Sequence, residues 1–192
     1  MRLLPNSFAH NTINGMKQMN VCVFCGASDG TPDHREKAFE LGKMIARHGH
    51  RLVYGGSDLG LMGCVARGAK SESGAITSII PLFFQHAGIA DPHSDTKIDV
   101  ETMGERKENM IGMCDLFIAL PGGIGTLDEI GDVLTTIALD HKEAKMILCD
   151  FDGFYSAFAS LIETMKEHGY IPDPWKAEPI YAKTLSDVKA YL

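Results

Sequence analysis

The sequence predicts an α/β protein: a Rossmann-like doubly wound parallel sheet, in three layers and a single domain. Three observations predict it. Short β-branched runs alternate with stretches of helical periodicity along most of the chain, and right-handed β-α-β crossovers lay such helices on both faces of a parallel sheet. The connections between them are mostly short. Three glycine-rich turns, after Phe24, Tyr54 and Leu120, fall at the carboxyl ends of strands, beyond which ligands of such sheets bind. One turn of this kind is weak evidence; three on one edge predict a nucleotide-sized pocket.

The elements follow in order. Residues 1–19 carry Arg2 but no apolar leader segment, being interrupted by Pro5 and by His10-Asn-Thr. They read as a flexible N-terminal extension, with Met16 or Met19 as alternative starts, ahead of a single nucleotide-binding domain over 20–192. A first strand spans 21–24. Thr31 then caps a helix with Pro32 at its first position, Ala38, Leu41, Ile45 and Ala46 form its buried stripe, and Gly49 ends it. Arg51–Tyr54 is the second strand, and a helix runs through Met62, Val65, Ala66 and Ala69 to about Ser73. A third strand over 75–80 stops at Pro81. Residues 83–86 read as a half-turn, 87–95 as a surface loop and 97–100 as a fourth strand. Helical spacing over 105–113 leads into the strand 116–120. After its glycine turn, Leu127, Ile130, Leu134, Ile137 and Ala138 mark one buried helix face. A sixth strand spans 144–149. A helix over 154–167 places Phe158, Leu161, Ile162 and Met165 inside and ends at Gly169. The Pro-punctuated tail holds a short helix over 186–192.

Composition narrows the function. Of the 192 residues, 45% are hydrophobic and 22% charged, as in ordinary globular domains, and a chain this long buries about 70% of its unfolded surface. A net charge of −7 argues against nucleic acid or an anionic membrane as partner, so any phosphate must be held by a local site. No apolar run reaches the length of a membrane span, and the expected setting is cytoplasmic. The five cysteines (22, 25, 64, 114, 149) are odd in number and scattered, which suits a reducing compartment. Cys22-Val-Phe-Cys25 lies within and just after a strand, not at a helix start, and no second ligand pair follows it. It reads as packing, and no metal is expected.

The turn Pro121-Gly122-Gly123-Ile124-Gly125-Thr126 is the centre of the site. Glycines let the backbone approach an anion, and the amides of the first helical turn point at it. Two phosphate-loop patterns do not fit. Thr126 follows Gly125 where a Walker loop needs Lys, and Asp128 stands where the dinucleotide fingerprint needs a small residue. Glu129, with Asp128 beside it, falls in the first helical turn. Either phosphate sits on the glycine amides and Glu129 faces another part of the ligand, or Glu129 merely completes the helix start. Upstream, Met103-Gly-Glu-Arg106-Lys107 is either a solvated basic pair or brings Arg106 into the pocket as a bidentate donor to phosphate or ribose oxygens.

Three stretches, Tyr54-Gly-Gly-Ser-Asp-Leu-Gly-Leu-Met-Gly63, Met103-Gly-Glu-Arg-Lys107 and Pro121-Gly-Gly-Ile-Gly-Thr-Leu-Asp-Glu129, resemble the motifs of the Lonely Guy family over roughly residues 20–170. Those proteins are cytokinin riboside 5′-monophosphate phosphoribohydrolases, often mislabelled lysine decarboxylases. The resemblance implies hydrolysis of the N-glycosidic bond of an adenosine 5′-monophosphate, possibly N6-modified, without a cofactor. It implies Arg106 and Glu129 as the catalytic pair, with Lys107, Gly122, Gly123, Gly125, Thr126, Leu127, Asp128 and Thr135 binding substrate, helped by Gly26, Ser28, Gly55 and Gly56. It further implies a homodimer, or a larger assembly, formed by helix packing. The chain departs from the family at Ser57-Asp58, which add an acid to the expected pocket edge, and at Ile124 and Thr136, which replace aromatic residues. These changes bear on the base pocket more than on the phosphoribose half. Arg106 and the helix N-terminus are expected to hold the Glu129 pKa low. A carrier of a phosphorylated pterin, as among molybdenum-cofactor carriers, is the alternative. A pyridoxal-dependent decarboxylase would need a lysine in a cofactor motif, and none stands in one.

Overall fold

A computed structural model describes residues 12–13, 16–86, 88 and 92–192. Of the expected N-terminal extension, residues 1–11, 14 and 15 lie outside the described residues. Within it, β1 (Thr12–Ile13) pairs antiparallel with β2 (Met16–Lys17). Residues 87 and 89–91 of the expected 87–95 loop also lie outside the described residues.

The remaining strands are β3 (Asn20–Phe24), β4 (Arg51–Tyr54), β5 (Ile76–Pro81), β6 (Thr96–Val100), β7 (Leu116–Ala119), β8 (Lys145–Cys149) and β9 (Ile180–Ala182). They form one seven-stranded parallel sheet in the order β6-β5-β4-β3-β7-β8-β9. The chain builds outward from β3 to β6, crosses back, and builds outward on the other side from β7. The order therefore reverses between β3 and β7, where a doubly wound sheet opens its binding crevice. The three glycine turns follow β4, β3 and β7, three adjacent strands at the centre of the sheet.

The helices are α1 (Pro32–Arg47), α2 (Gly60–Ser71), α3 (Leu82–His86), α4 (Met103–Met113), α5 (Ile124–Ala138), α6 (Ser156–Glu167) and α7 (Leu185–Lys189). Alternation along the strands splits the core into two halves. Val21, Val23 and Cys25 face Leu41 and Ile45 of α1, Val65 of α2 and Val188 of α7. Cys22 and Phe24 face Met110 of α4 and Ile130, Val133 and Ile137 of α5. The two cysteines of the C-x-x-C spacing thus point into opposite cores, buried and free, which is packing.

Several expectations need correction. The tail forms a seventh strand, β9, which the sequence did not signal: its three residues are too few for an alternation pattern, and pairing with β8 makes them a strand. Pro81 is the last residue of β5. Residues 82–86 complete a short helix, and the final helix ends at Lys189. On α6 only Ile162 is buried, and Leu161 is 48% exposed. On α5 the buried residues are Thr126, Glu129, Ile130, Val133, Leu134 and Ile137, with Leu127 turned outward. The core stripe of α5, traced back toward its N-terminus, therefore ends on two polar residues, Glu129 and Thr126. Among the described residues, no helix is long and apolar enough to cross a membrane.

Candidate active site

A cavity of about 480 Å³ opens above the β3–β7 reversal, within the size range of small-molecule sites. Its floor is the turn after β3, where the Gly26 N–H donates to the Pro121 carbonyl at 3.3 Å and ties that turn to the one after β7. Gly26, Ser28, Gly122, Gly123, Gly125 and Thr126 all line it.

The N-terminus of α5 faces this space without a side-chain cap. Thr31, Thr102 and Thr184 cap α1, α4 and α7 by accepting from backbone N–H groups, whereas the residue before α5 is Gly123, which has no side chain to offer. Uncapped first-turn amides at the positive end of a fifteen-residue helix suit an anion. Gly122 is required by contact: a Cβ there would stand 2.2 Å from Thr126 Oγ1, so the buried Thr126 folds back over the loop. Gly123 and Gly125 have nothing within 4 Å of a built Cβ; their open faces are where a ligand could approach.

Arg106 comes from α4 and Glu129 from α5, and their side chains meet with Nη2 3.1 Å from Oε1. Both are over nine-tenths buried, at 9% and 8% exposure. The guanidinium lies against the turn after β4. A Cβ on Gly55 would stand 1.9 Å from Arg106 Nη2, so only glycine lets the guanidinium pass. Arg106 Nε is buried without a hydrogen-bond partner, a donor left over for a bound group.

Burial pushes the Glu129 carboxyl up to about 7, with Arg106 pulling back the other way. The expectation of a depressed pKa was therefore wrong: desolvation of a nearly buried carboxylate outweighs one ion pair and the distant helix terminus. Glu129 also does not complete the helix start. It lies six residues beyond Gly123, in the second turn, with its side chain turned inward.

The remaining expected site residues lie elsewhere. Lys107 Nζ is held by Asp128 Oδ2 and Asp132 Oδ2, each at 2.8 Å, on the surface between α4 and α5, and those two carboxylates raise its pKa. Neither Lys107 nor Asp128 lines the cavity. Leu127 and Thr135 are exposed on the outer side of α5. Gly55 and Gly56 lie under the guanidinium and beside β5 respectively, with Gly56 at φ +79° against Ile80 and Ser78. Asp58, expected as an acid at the pocket edge, turns outward to Arg67 at 2.7 Å. Conversely, Met62, His34 and Phe154 line the cavity, though the sequence marks none of them as a site residue. His34 and Phe154 come from separate segments, so no local spacing links them.

Comparisons with known proteins bear on this geometry. The family described as possible lysine decarboxylase matches residues 62–191. The cytokinin riboside 5′-monophosphate phosphoribohydrolase LOG of Oryza sativa subsp. japonica is 34% identical over 170 residues, covering 88% of this chain and 70% of that protein. A protein of the same activity name from Mycobacterium tuberculosis is 35% identical over 151 residues, covering 79% and 81%. Among solved structures, the molybdenum cofactor binding protein of Rippkaea orientalis superposes with a TM-score of 0.67 at 22% identity, covering 92% of this chain and 98% of that one; this likeness establishes the fold alone. The sequence relatives establish more, and the chain belongs to the cytokinin riboside 5′-monophosphate phosphoribohydrolase family, which also carries the description possible lysine decarboxylase.

Proposed function

We propose that this chain hydrolyses the N-glycosidic bond of adenosine 5′-monophosphate, plain or N6-modified, releasing the free base and ribose 5-phosphate. The observation that carries the reading is the buried Arg106–Glu129 pair in one cavity with the uncapped start of α5. Phosphate rests on the amides from Gly122 to Gly125, the Thr126 N–H being given to the Gly123 carbonyl at 3.1 Å, and this remote binding energy positions the sugar. As the bond from C1′ to the base lengthens, positive charge builds on C1′ and the ring oxygen. Glu129 stabilises that charge and takes a proton from the attacking water, while the base leaves with the bonding electrons and takes a proton from solvent. A carboxyl poised near 7 is matched to that proton transfer at neutral pH. Arg106 fixes the carboxylate and offers its remaining donors to ribose or phosphate oxygens.

Among the described residues no lysine lines the cavity, so the decarboxylase reading lacks a Schiff-base partner there. A carrier of a phosphorylated pterin has no use for a carboxylate aimed at a sugar carbon. Incubation with AMP separates the two: free adenine in the chromatogram supports the hydrolase, and unchanged, tightly bound AMP supports the carrier.

The chain is further proposed to work as a homodimer packed through α5. Ile124, Leu127, Gly131, Thr135 and Leu139 form an outward stripe at helical spacing, and Ile124 is 80% exposed. A helix apolar on both faces calls for a cover on each. The stripe begins beside the cavity mouth, which brings Leu127 and Thr135 into the interface. Sedimentation of Gly131→Arg should show monomer; an unchanged monomer in the parent protein removes this assignment. A cytoplasmic setting is supported by five free cysteines.

A further inference from the structure

The cavity is poor in positive charge for a site that binds a phosphate dianion. Among its lining residues only Arg106 and His34 can carry a positive charge, and Glu129 adds a negative one. Arg106 is committed to Glu129 at 3.1 Å. Lys107, the next cation in sequence, is held outside by two aspartates. The whole chain, at −7, offers no favourable background field. The α5 terminus supplies only about half an elementary charge. Beyond the loop amides and the spare donors of Arg106, no cationic side chain assigned so far serves the anion.

His34 stands where such a donor is needed. It sits in the first turn of α1, and its own backbone N–H is already taken by Thr31 Oγ1 at 3.1 Å, so the ring is not needed for capping. Its Nδ1 lies 3.4 Å from where a Cβ on Gly30 would be, which places the imidazole against the turn after β3. That turn is tied to Pro121 and the glycine loop through the Gly26 hydrogen bond. The ring is braced edge-on by Phe154, 6.2 Å between centroids. Asp33 and Asp152 lie close by, all three groups' ligating atoms being within 4.8 Å of one another, and Lys37 Nζ pairs with Asp33 at 2.5 Å.

We propose that His34 recognises the 5′-phosphate: its imidazole donates to the phosphate held on the Gly122–Thr126 loop, from the α1 side of the cavity and opposite the Arg106–Glu129 pair. The proposal rests on the nucleotide reading above and adds a phosphate-specificity residue to it. Imidazole serves here as a compact donor that can carry charge.

The test compares ligands with and without phosphate. His34→Ala should weaken ribose 5-phosphate binding, measured by calorimetry, about tenfold, the size of one lost charge-assisted hydrogen bond. It should raise the KM for AMP similarly, move kcat much less, and leave adenosine affinity where it was. His34→Lys should restore most of the phosphate affinity. An equal loss for adenosine would place the ring against the base and overturn the proposal. So would unchanged ribose 5-phosphate binding, or a failure of Lys to rescue, which would mark the ring as packing. Should the parent protein release no free base from AMP, the hydrolase reading fails on its own, and the ribose 5-phosphate titration still decides the role of His34.

Discussion

Arg106 and Glu129 sit one position away from Lys107 and Asp128, on the same two helices, and the neighbouring pairs have opposite fates. The first pair is over nine-tenths buried in the cavity, the second lies on the surface with Asp128 54% exposed. One residue along a helix is a rotation of about 100°, enough to carry a charge from the crevice to the solvent. Identical chemistry thus becomes two different things. The outer trio of Lys107, Asp128 and Asp132 is a clamp at the surface between α4 and α5, its carboxylates exposed and its lysine largely covered by them. The inner pair is a desolvated couple whose carboxyl is raised to about 7. Burial, not charge type, separates a candidate catalytic pair from a surface brace.

The largest expected effect is at the inner carboxylate. Glu129→Gln should lower kcat by about a thousandfold or more, the scale of a lost base and electrostatic stabiliser, while AMP still binds. Retained turnover in this variant would remove Glu129 from the reaction.

Removing the inner guanidinium comes next and sharpens the electrostatic half of the comparison. Arg106→Ala should cost about a hundredfold in kcat/KM, comparable to losing one preorganised donor. It should also shift the pH profile. Glu129 must be ionised to act, so activity is present above its pKa and is lost below it. In the parent protein kcat/KM should climb through a midpoint near 7. Arg106 is the largest influence lowering that value, so its removal should move the midpoint to higher pH. A midpoint that stays in place, or moves down, contradicts the electrostatic account.

A smaller effect should follow from Gly55→Ala. The added methyl would stand 1.9 Å from Arg106 Nη2, and the guanidinium must shift to admit it. A displacement of that order costs about tenfold to a hundredfold in rate. Gly104→Ala is the control, since a Cβ there meets only Thr102 Oγ1 at 3.7 Å; assays of both in parallel check the claim.

The smallest expected effect is at the outer clamp. Lys107→Ala should lower stability by less than about 1 kcal/mol, as for exposed ion pairs, read by denaturant melts. Its kcat/KM loss should fall well short of that of Arg106→Ala. An equal loss would mean that Lys107 leaves its aspartates for the substrate, and the contrast between the pairs would collapse.

Much of this architecture was legible because its determinants are local. Thr31 and Pro32 start α1 as a cap and a first-turn proline should, and Gly49 and Gly169 end their helices at φ +75° and +73°. The strand at Arg51–Tyr54 falls where its β-branched and aromatic run placed it. Within the glycine turns, Gly55 and Gly122 are held by close approach and Gly30, Gly56 and Gly60 by positive φ. Where expectation failed, the missing information was not local. Leu127 and Leu161 obey helical spacing, yet spacing does not say which of two apolar faces meets the sheet. β9 exists because β8 offers it an edge. Asp58 faces Arg67, not the pocket, through a contact nine residues away that its glycine turn does not announce.

What the sequence by itself determined is the alternation of the six strands β3 to β8 with their main helices, the Thr31 cap, the glycine turns and the motifs that carry the charged residues, since each depends on dihedral preferences and side-chain period within a few residues. Only the tertiary structure decided that the order of strands reverses between β3 and β7, that Arg106 rather than Lys107 enters the crevice, and that His34 lines the same cavity as the glycine loop. It also decided that Glu129 holds its proton up to about 7. The reason is physical: desolvation and long-range contact arise from how the layers close around a side chain, and no short window of residues contains them.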